Sequence, residues 1–281
     1  MAERPRRHLV SYFGNRYLDH FRRDLQEIRD HGFDTVVHCV TEADREWGMT
    51  RIAEMFAMTR EAGLSCWADP WGVAGVFGGE AHSGYLARGG TVGAEDAGLR
   101  ALLHNWIDDV ATAGTECIFW DEPNLGPGHG PEALVPFIAD VSAHARECGL
   151  ESSVCLTATV PNVRALRQLA ALESVDDIGI DPYYDLELDH RDPDPEDYVG
   201  RWADTVRDAA DEHGKTSHLW VQAFNIAAGD EHRIGRCIAV AQARGVSGIA
   251  IWGFRACEAL DIRPARAELA WRVVREALAG D

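Results

Sequence analysis

Three stretches of this sequence join acids to aromatic residues in a way that suits proton transfer. Trp120-Asp121-Glu122-Pro123-Asn124 sets two carboxylates side by side behind an apolar run, while Trp67-Ala68-Asp69-Pro70-Trp71 and Asp181-Pro182-Tyr183-Tyr184 each place one acid among aromatic neighbours. Further on, Gln222-Ala223-Phe224-Asn225 and Trp252-Gly253-Phe254-Arg255 add two amides and another indole. Carboxylates transfer protons and stabilise cations, and flat indole faces stack on the apolar faces of sugar rings. Cleaving a glycosidic bond needs that combination: one acid to protonate the leaving oxygen and a second group to stabilise or attack the anomeric centre. Glu122 is the expected general acid, with Asp121 and Asp181 as the other candidate catalytic groups. Asp69, Trp71, Tyr183, Gln222, Asn225 and Trp252 are the expected substrate-binding residues.

The elements that must position these residues alternate regularly. Short apolar runs predict strands at Leu9–Gly14, Thr35–Val40, Ser65–Asp69, Cys117–Asp121, Ser153–Thr157, Asp177–Asp181, His218–Ala223 and Gly248–Gly253. Helix-period segments fill 19–31, 49–62, 96–113, 131–148, 161–172, 196–213, 230–244 and 264–278. Gly32, Gly63, Gly114, Gly149, Gly214 and Gly245 each follow a helical segment, as left-handed caps do. Strands alternating with helices imply a parallel sheet with right-handed crossovers. Eight such units predict an α/β protein, a single (β/α)8 TIM barrel spanning residues 1–281 as one domain. No Gly-x-Gly-x-x-Gly follows the first strand, which argues against a dinucleotide site. Such barrels draw catalytic groups from the C-terminal strand ends, so Asp69, Glu122, Asp181, Gln222 and Trp252 are expected to converge there. The long Gly-rich connection from Asp69 to Glu95 is expected to fold over the site through residues 72–92, bringing Trp71, Phe77 or Tyr85 against a ligand.

Composition narrows the partners. A formal charge of −19 opposes binding to nucleic acid or an anionic membrane, both of which call for basic patches. No apolar run reaches the roughly 18 residues of a membrane span. The basic N-terminus leads into strand-like Leu9-Val10-Ser11-Tyr12-Phe13 rather than a signal-peptide core. Of the seven cysteines, Cys39, Cys66, Cys117 and Cys155 lie in apolar strand-like runs and none pairs at zinc-site spacing. The expectation is a reduced, cytoplasmic protein with a carbohydrate substrate, no cofactor and no metal. His38, midway along its strand, reads as a core histidine, and His218 as a structural one. The Asp-Pro pairs at 69–70 and 181–182 also suit turns.

Phe119-Trp120-Asp121-Glu122-Pro123-Asn124 resembles the Asn-Glu-Pro signature that ends the fourth strand in the large clan of barrel-fold retaining glycosidases, with Asp in place of Asn. That resemblance implies Glu122 as acid/base, whereas the clan's strand-seven Glu is here Gln222, an amide that cannot act as nucleophile. The adjacent Asp-Glu pair is also similar to the substrate-assisted β-N-acetylhexosaminidases. This second resemblance implies that Asp121 polarises a 2-acetamido group, Glu122 protonates the leaving group, Tyr183 or Tyr184 bonds the developing oxazoline and Trp252 lies under the sugar. Three routes stay open: substrate assistance, an inverting pair of Glu122 with Asp181 or Asp69, or a nucleophile from another strand. Rival functions are a metal-dependent sugar isomerase or epimerase using Glu122, Asp181, Asp69 and His38, and a non-catalytic carbohydrate-binding barrel.

Overall fold

The computed structural model describes residues 6–13, 16–79, 82–126, 129–184 and 194–280. Eight strands close a parallel barrel in chain order: β1 Arg7–Tyr12, β2 Thr35–Cys39, β3 Ser65–Asp69, β4 Cys117–Asp121, β5 Glu151–Thr157, β6 Asp177–Asp181, β7 Thr216–Gln222 and β8 Gly248–Trp252. The helices are α1 Leu18–Asp30, α2 Glu42–Trp47, α3 Met49–Glu61, α4 Gly84–Ala87, α5 Ala97–Ala113, α6 Leu134–Glu147, α7 Asn162–Ala170, α8 Pro195–His213, α9 His232–Ala243 and α10 Ala267–Leu278. The expected (β/α)8 barrel is therefore present. Strands begin up to two residues earlier than expected at β1, β5 and β7. Gly14 and most of the sixth connection, 185–193, lie outside the described residues.

Local chemistry explains the boundaries. All six glycines expected as helix stops adopt positive φ, from 66° at Gly214 to 96° at Gly114, a region closed to most side chains. Pro131 opens a separate 3-10 turn, Pro131–Ala133, so the regular helix starts at Leu134. Helix α2, absent from the expected pattern, is set by a capping box: the Thr41 hydroxyl accepts from the Asp44 N–H at 3.1 Å and the Asp44 carboxylate from the Thr41 N–H at 3.0 Å. No two of the seven cysteines form a disulfide, and no helix among the described residues is long and apolar enough to cross a membrane.

The residues group into two compact units, Met1–Val36 with Gly179–Asp281, and Val37–Ile178. Within the second, β4 is buried on both faces, Cys117 through Trp120 all being at most 1% exposed, as a parallel strand under helices should be. Its Cα register runs against β5 from Cys117↔Glu151 to Asp121↔Cys155. His38 points to Thr59 on α3, its Nε2 3.0 Å from the hydroxyl, and its ring packs on Phe56, which fits the core role expected for it. Within the first unit, β7 pairs with β8 from His218↔Gly248 to Gln222↔Trp252. The His218 imidazole lies against Gly179, where a Cβ would fall 1.9 Å from Nε2. Only glycine fits at 179 beside that ring.

Candidate active site

The ends of β3 and β4 bring three carboxylates together within one unit. Alternation along a strand sends neighbouring side chains to opposite faces, so Asp121 and Glu122 would part company if the strand ran on. It does not: β4 stops at Asp121, and Glu122 takes φ 39°, a left-handed conformation unusual for a bulky residue. Its N–H still donates to the Cys155 carbonyl at 3.1 Å, which holds the turned backbone against β5. After this turn the charge of Glu122 bears on both Asp69 and Asp121, and that of Asp69 on Asp121. Outliers of this kind gather where the surrounding structure enforces them, and they point towards function.

Asp69 is completely buried. One carboxyl oxygen accepts from the Cys39 thiol at 3.5 Å, while Oδ1 has no hydrogen-bond partner among the described residues. Asp121, half-buried, meets the chain of the following loop. The Gly78 N–H donates to its carbonyl at 2.8 Å, and a Cβ on Gly78 would fall 2.3 Å from its Oδ2. Burial pushes Asp69 well above the usual carboxylate range, and the charge of Glu122 adds to the effect against the opposing thiol bond. Burial raises Asp121 in the same way, reinforced by the charges of Asp69 and Glu122. Both carboxyls are thus pushed towards the protonated form.

That assignment has a measurable sign. A carboxyl whose folded pKa exceeds its unfolded value of about 3.9 gives the folded state extra bound protons between the two values. Stability then falls as pH rises through that window, by up to about 1.4 kcal/mol per pH unit for each group. Asp69→Asn is expected to track the parent protein near the unfolded value and to become the more stable of the two by about pH 7. Urea midpoints taken across that range check it, and superimposable curves for the two proteins would refute it. Glu231 works the opposite way. Hydrogen bonds from Arg266 at 2.6 and 2.5 Å hold it down at about 2, so its contribution is present above the unfolded value and fades only as pH falls towards about 2.

Glu122 also lines a cavity of about 210 Å3 with Asn124, His129, Leu156, Thr157 and Asn162. Asn162 is anchored there by donating to the carbonyl and hydroxyl of Thr157 at 2.9 and 2.7 Å. His129, on a loop, and Asn162, the first residue of α7, went unremarked because apolar periodicity flags neither a loop residue nor a polar helix start.

In the other unit, Asp181 ends β6 at 1% exposure, and its carbonyl accepts from the Tyr183 N–H at 2.8 Å. Tyr183 meets Phe224 edge-on, with ring centroids 5.0 Å apart. Gln222 is buried and donates from Nε2 to the Phe224 carbonyl at 3.1 Å. A carboxylate there would face that carbonyl without a proton to offer, which is a physical reason for an amide at this strand end. Asn225 is exposed with φ 57°, its N–H bonded to the Ile262 carbonyl at 2.7 Å. Trp252 is 9% exposed and packs between Phe13 and Trp220, with centroids 5.3 and 6.0 Å away.

The long third connection is organised differently from a free lid. Glu42, at the start of α2, accepts from the Ala74 N–H at 2.9 Å, the Ser83 hydroxyl at 2.7 Å and the Tyr85 N–H at 2.8 Å. Three bonds to one carboxylate hold the loop to the helix. Phe77 is 4% exposed and packs on Trp120 and Phe137, so it belongs to the core rather than to a ligand wall. Tyr85 spends its hydroxyl on Asp96 and the Thr91 carbonyl, at 2.9 and 3.1 Å. Trp71, half-buried, rests its indole over Gly79, where a Cβ would fall 2.3 Å from the ring. Of Trp71, Phe77 or Tyr85, one of which was expected against a ligand, Phe77 is corrected to a core residue. The reason is that the apolar ring gains more by packing under the loop on Trp120 and Phe137 than by facing solvent.

No protein-family model matches the chain, and neither does any curated protein. Solved structures do resemble it. An endo-1,4-beta-mannanase from Rhizomucor miehei superposes with a TM-score of 0.74 at 10% identity, covering 100% of this chain and 97% of that one. A GH5_18 protein from Streptomyces cattleya, solved in complex with GlcNAc, gives 0.73 at 14% identity over 99% of this chain and 80% of that one. A D-psicose 3-epimerase solved with D-fructose gives 0.58 at 12% identity over 98% and 97%. At such identities the likeness establishes the fold: this chain shares its barrel both with glycoside hydrolases and with a sugar epimerase.

Proposed function

We propose that this chain is a glycoside hydrolase in which Glu122 is the general acid and Asp121 the second catalytic group, with the whole of 1–281 acting as one barrel domain. The observation that carries this reading is the left-handed turn at Glu122, which lets two adjacent acids act with Asp69 as one electrostatic cluster. Glu122 donates the proton that a departing sugar oxygen requires, beside Asp69 and Asp121, whose carboxyls are both pushed above the usual range. Asp69 is a positioning residue: fully buried, it acts through its effect on Asp121. At or just after the ends of β6, β7 and β8, Asp181 is kept as a candidate catalytic group, and Tyr183, Gln222, Asn225 and Trp252 as candidate sugar-binding residues. The likeness to the mannanase and to the GlcNAc-bound protein adds support at the level of the fold.

Substrate assistance is the favoured route, because Asp121 reaches the Glu122 cluster and Gln222 has no carboxylate to offer. Asp121 would then engage a 2-acetamido group that attacks the anomeric carbon. Nitrophenyl glycosides with and without that group test the proposal. The expected result is turnover, faster on the 2-acetamido members. Hydrolysis indifferent to the 2-substituent would remove substrate assistance and leave an inverting pair or a nucleophile from another strand. Sugar binding without turnover would leave a binding barrel, and activity abolished by chelation would favour an epimerase.

A further inference from the structure

The outer helices α5 and α6 carry a second constellation that the proposed reaction does not use. His104 and Asp108 are one turn apart on α5. On α6, Asp140, His144 and the C-cap residue Cys148 follow at four-residue intervals, so each set shares a helix face. Asp108 Oδ1 accepts from His144 Nε2 at 2.9 Å and from Cys148 Sγ at 3.4 Å. One potential ligand atom from each of the three residues lies within 4.8 Å of the other two.

The surroundings hold these groups in place. The His104 ring stacks face to face on His144, with centroids 4.1 Å apart and planes 5° apart, and its Nε2 lies 3.3 Å from Asp140. His144 Nδ1, the nitrogen turned away from Asp108, lies 3.8 Å from a Glu147 oxygen. A carboxylate behind the second imidazole nitrogen is what commonly orients a metal-bound histidine.

We infer that Asp108, His144 and Cys148 form a binding site for a zinc-like divalent ion that clips α5 to α6. The donors are one imidazole nitrogen, one sulfur and one carboxylate oxygen, a set suited to zinc or cobalt and poor for calcium or magnesium, which take oxygen ligands. At the usual metal–ligand lengths, the donor atoms of a tetrahedral site stand roughly 3.3–3.8 Å apart. The present separations of 2.9 and 3.4 Å come close to this, and the ion enters by spreading the three side chains slightly. On binding, the Cys148 thiol gives its proton to solvent. His144 shifts its proton from Nε2, where it bonds Asp108, to Nδ1, facing Glu147, which frees the Nε2 lone pair for the ion. Water fills the fourth position, because the stacked His104 ring is parallel to His144 and cannot reach the same ion.

Titrating the reduced full-length protein with Co2+ tests this. Cys148 is the only one of the seven cysteines that is not buried, so a thiolate-to-cobalt charge-transfer band would report on it. The expected result is such a band saturating at one ion per chain, reversed by Zn2+ and absent from Cys148→Ser. His144→Ala, which keeps every thiol, should weaken binding by at least about 10-fold, and Zn2+ should raise the melting temperature of the parent but not of either variant. Circular dichroism establishes that the variants are folded. Cobalt bound without the thiolate band, or a band that survives Cys148→Ser, would overturn the assignment.

Discussion

Replacing Glu122 by Gln is expected to lower kcat by about 10²- to 10⁴-fold on a glycoside with a poor leaving group, the usual cost of losing a proton-transfer residue. The amide keeps the size of the side chain and the backbone turn at φ 39°, so the fold should survive with little change in melting temperature. The loss should shrink sharply on nitrophenyl substrates, whose leaving oxygen departs without a proton. That dependence on leaving group separates a missing acid from a merely disturbed pocket. Near-native turnover on the poor leaving group would sink the role given to Glu122. Glu122→Gly offers a complementary measurement: it relieves the left-handed strain and should stabilise the protein while abolishing the chemistry.

Phe77→Ala should destabilise the protein by about 3–5 kcal/mol, the range for truncating a buried phenylalanine. Its ring sits 5.4 Å from Trp120 and 6.2 Å from Phe137, so its removal opens a void beside the strand that carries Asp121. The fall in melting temperature should be on the order of 10 °C. Urea unfolding provides the check, since a shifted midpoint with an unchanged slope isolates stability from compactness. A loss below about 1 kcal/mol would return Phe77 to the surface of the loop. Trp71→Ala, at a half-buried site over Gly79, should cost less stability than Phe77→Ala.

How much of this could be read in advance follows from the range of the forces involved. Strand ends and helix stops are written locally, as apolar periodicity and as glycines at left-handed positions, and the eight units were legible for that reason. The adjacency of Asp121 and Glu122 was visible too, but not the turn that makes both usable, because a positive φ at glutamate leaves no mark on sequence. The thiol of Cys39 meets Asp69 across two strands, a contact between residues thirty positions apart. Its strand-like surroundings announced only a small buried hydrophobe. Glu42 carries no local mark of its purpose, since its three loop contacts come from residues 74 to 85. Helix α2 had a local signal, Thr41-Glu42-Ala43-Asp44, that the apolar period is too long to register.

His218 and Gly179 share one parcel of interior volume, with the imidazole standing where a larger residue at 179 would begin. A lineage that enlarges position 179 alone meets an overpacked core, at a typical cost of about 1–3 kcal/mol. One that shrinks position 218 alone leaves an empty space beside β6. Each single step is penalised, while a compensating pair conserves volume and passes. The two positions should therefore vary together among descendants of this chain, with bulk traded between strands six and seven.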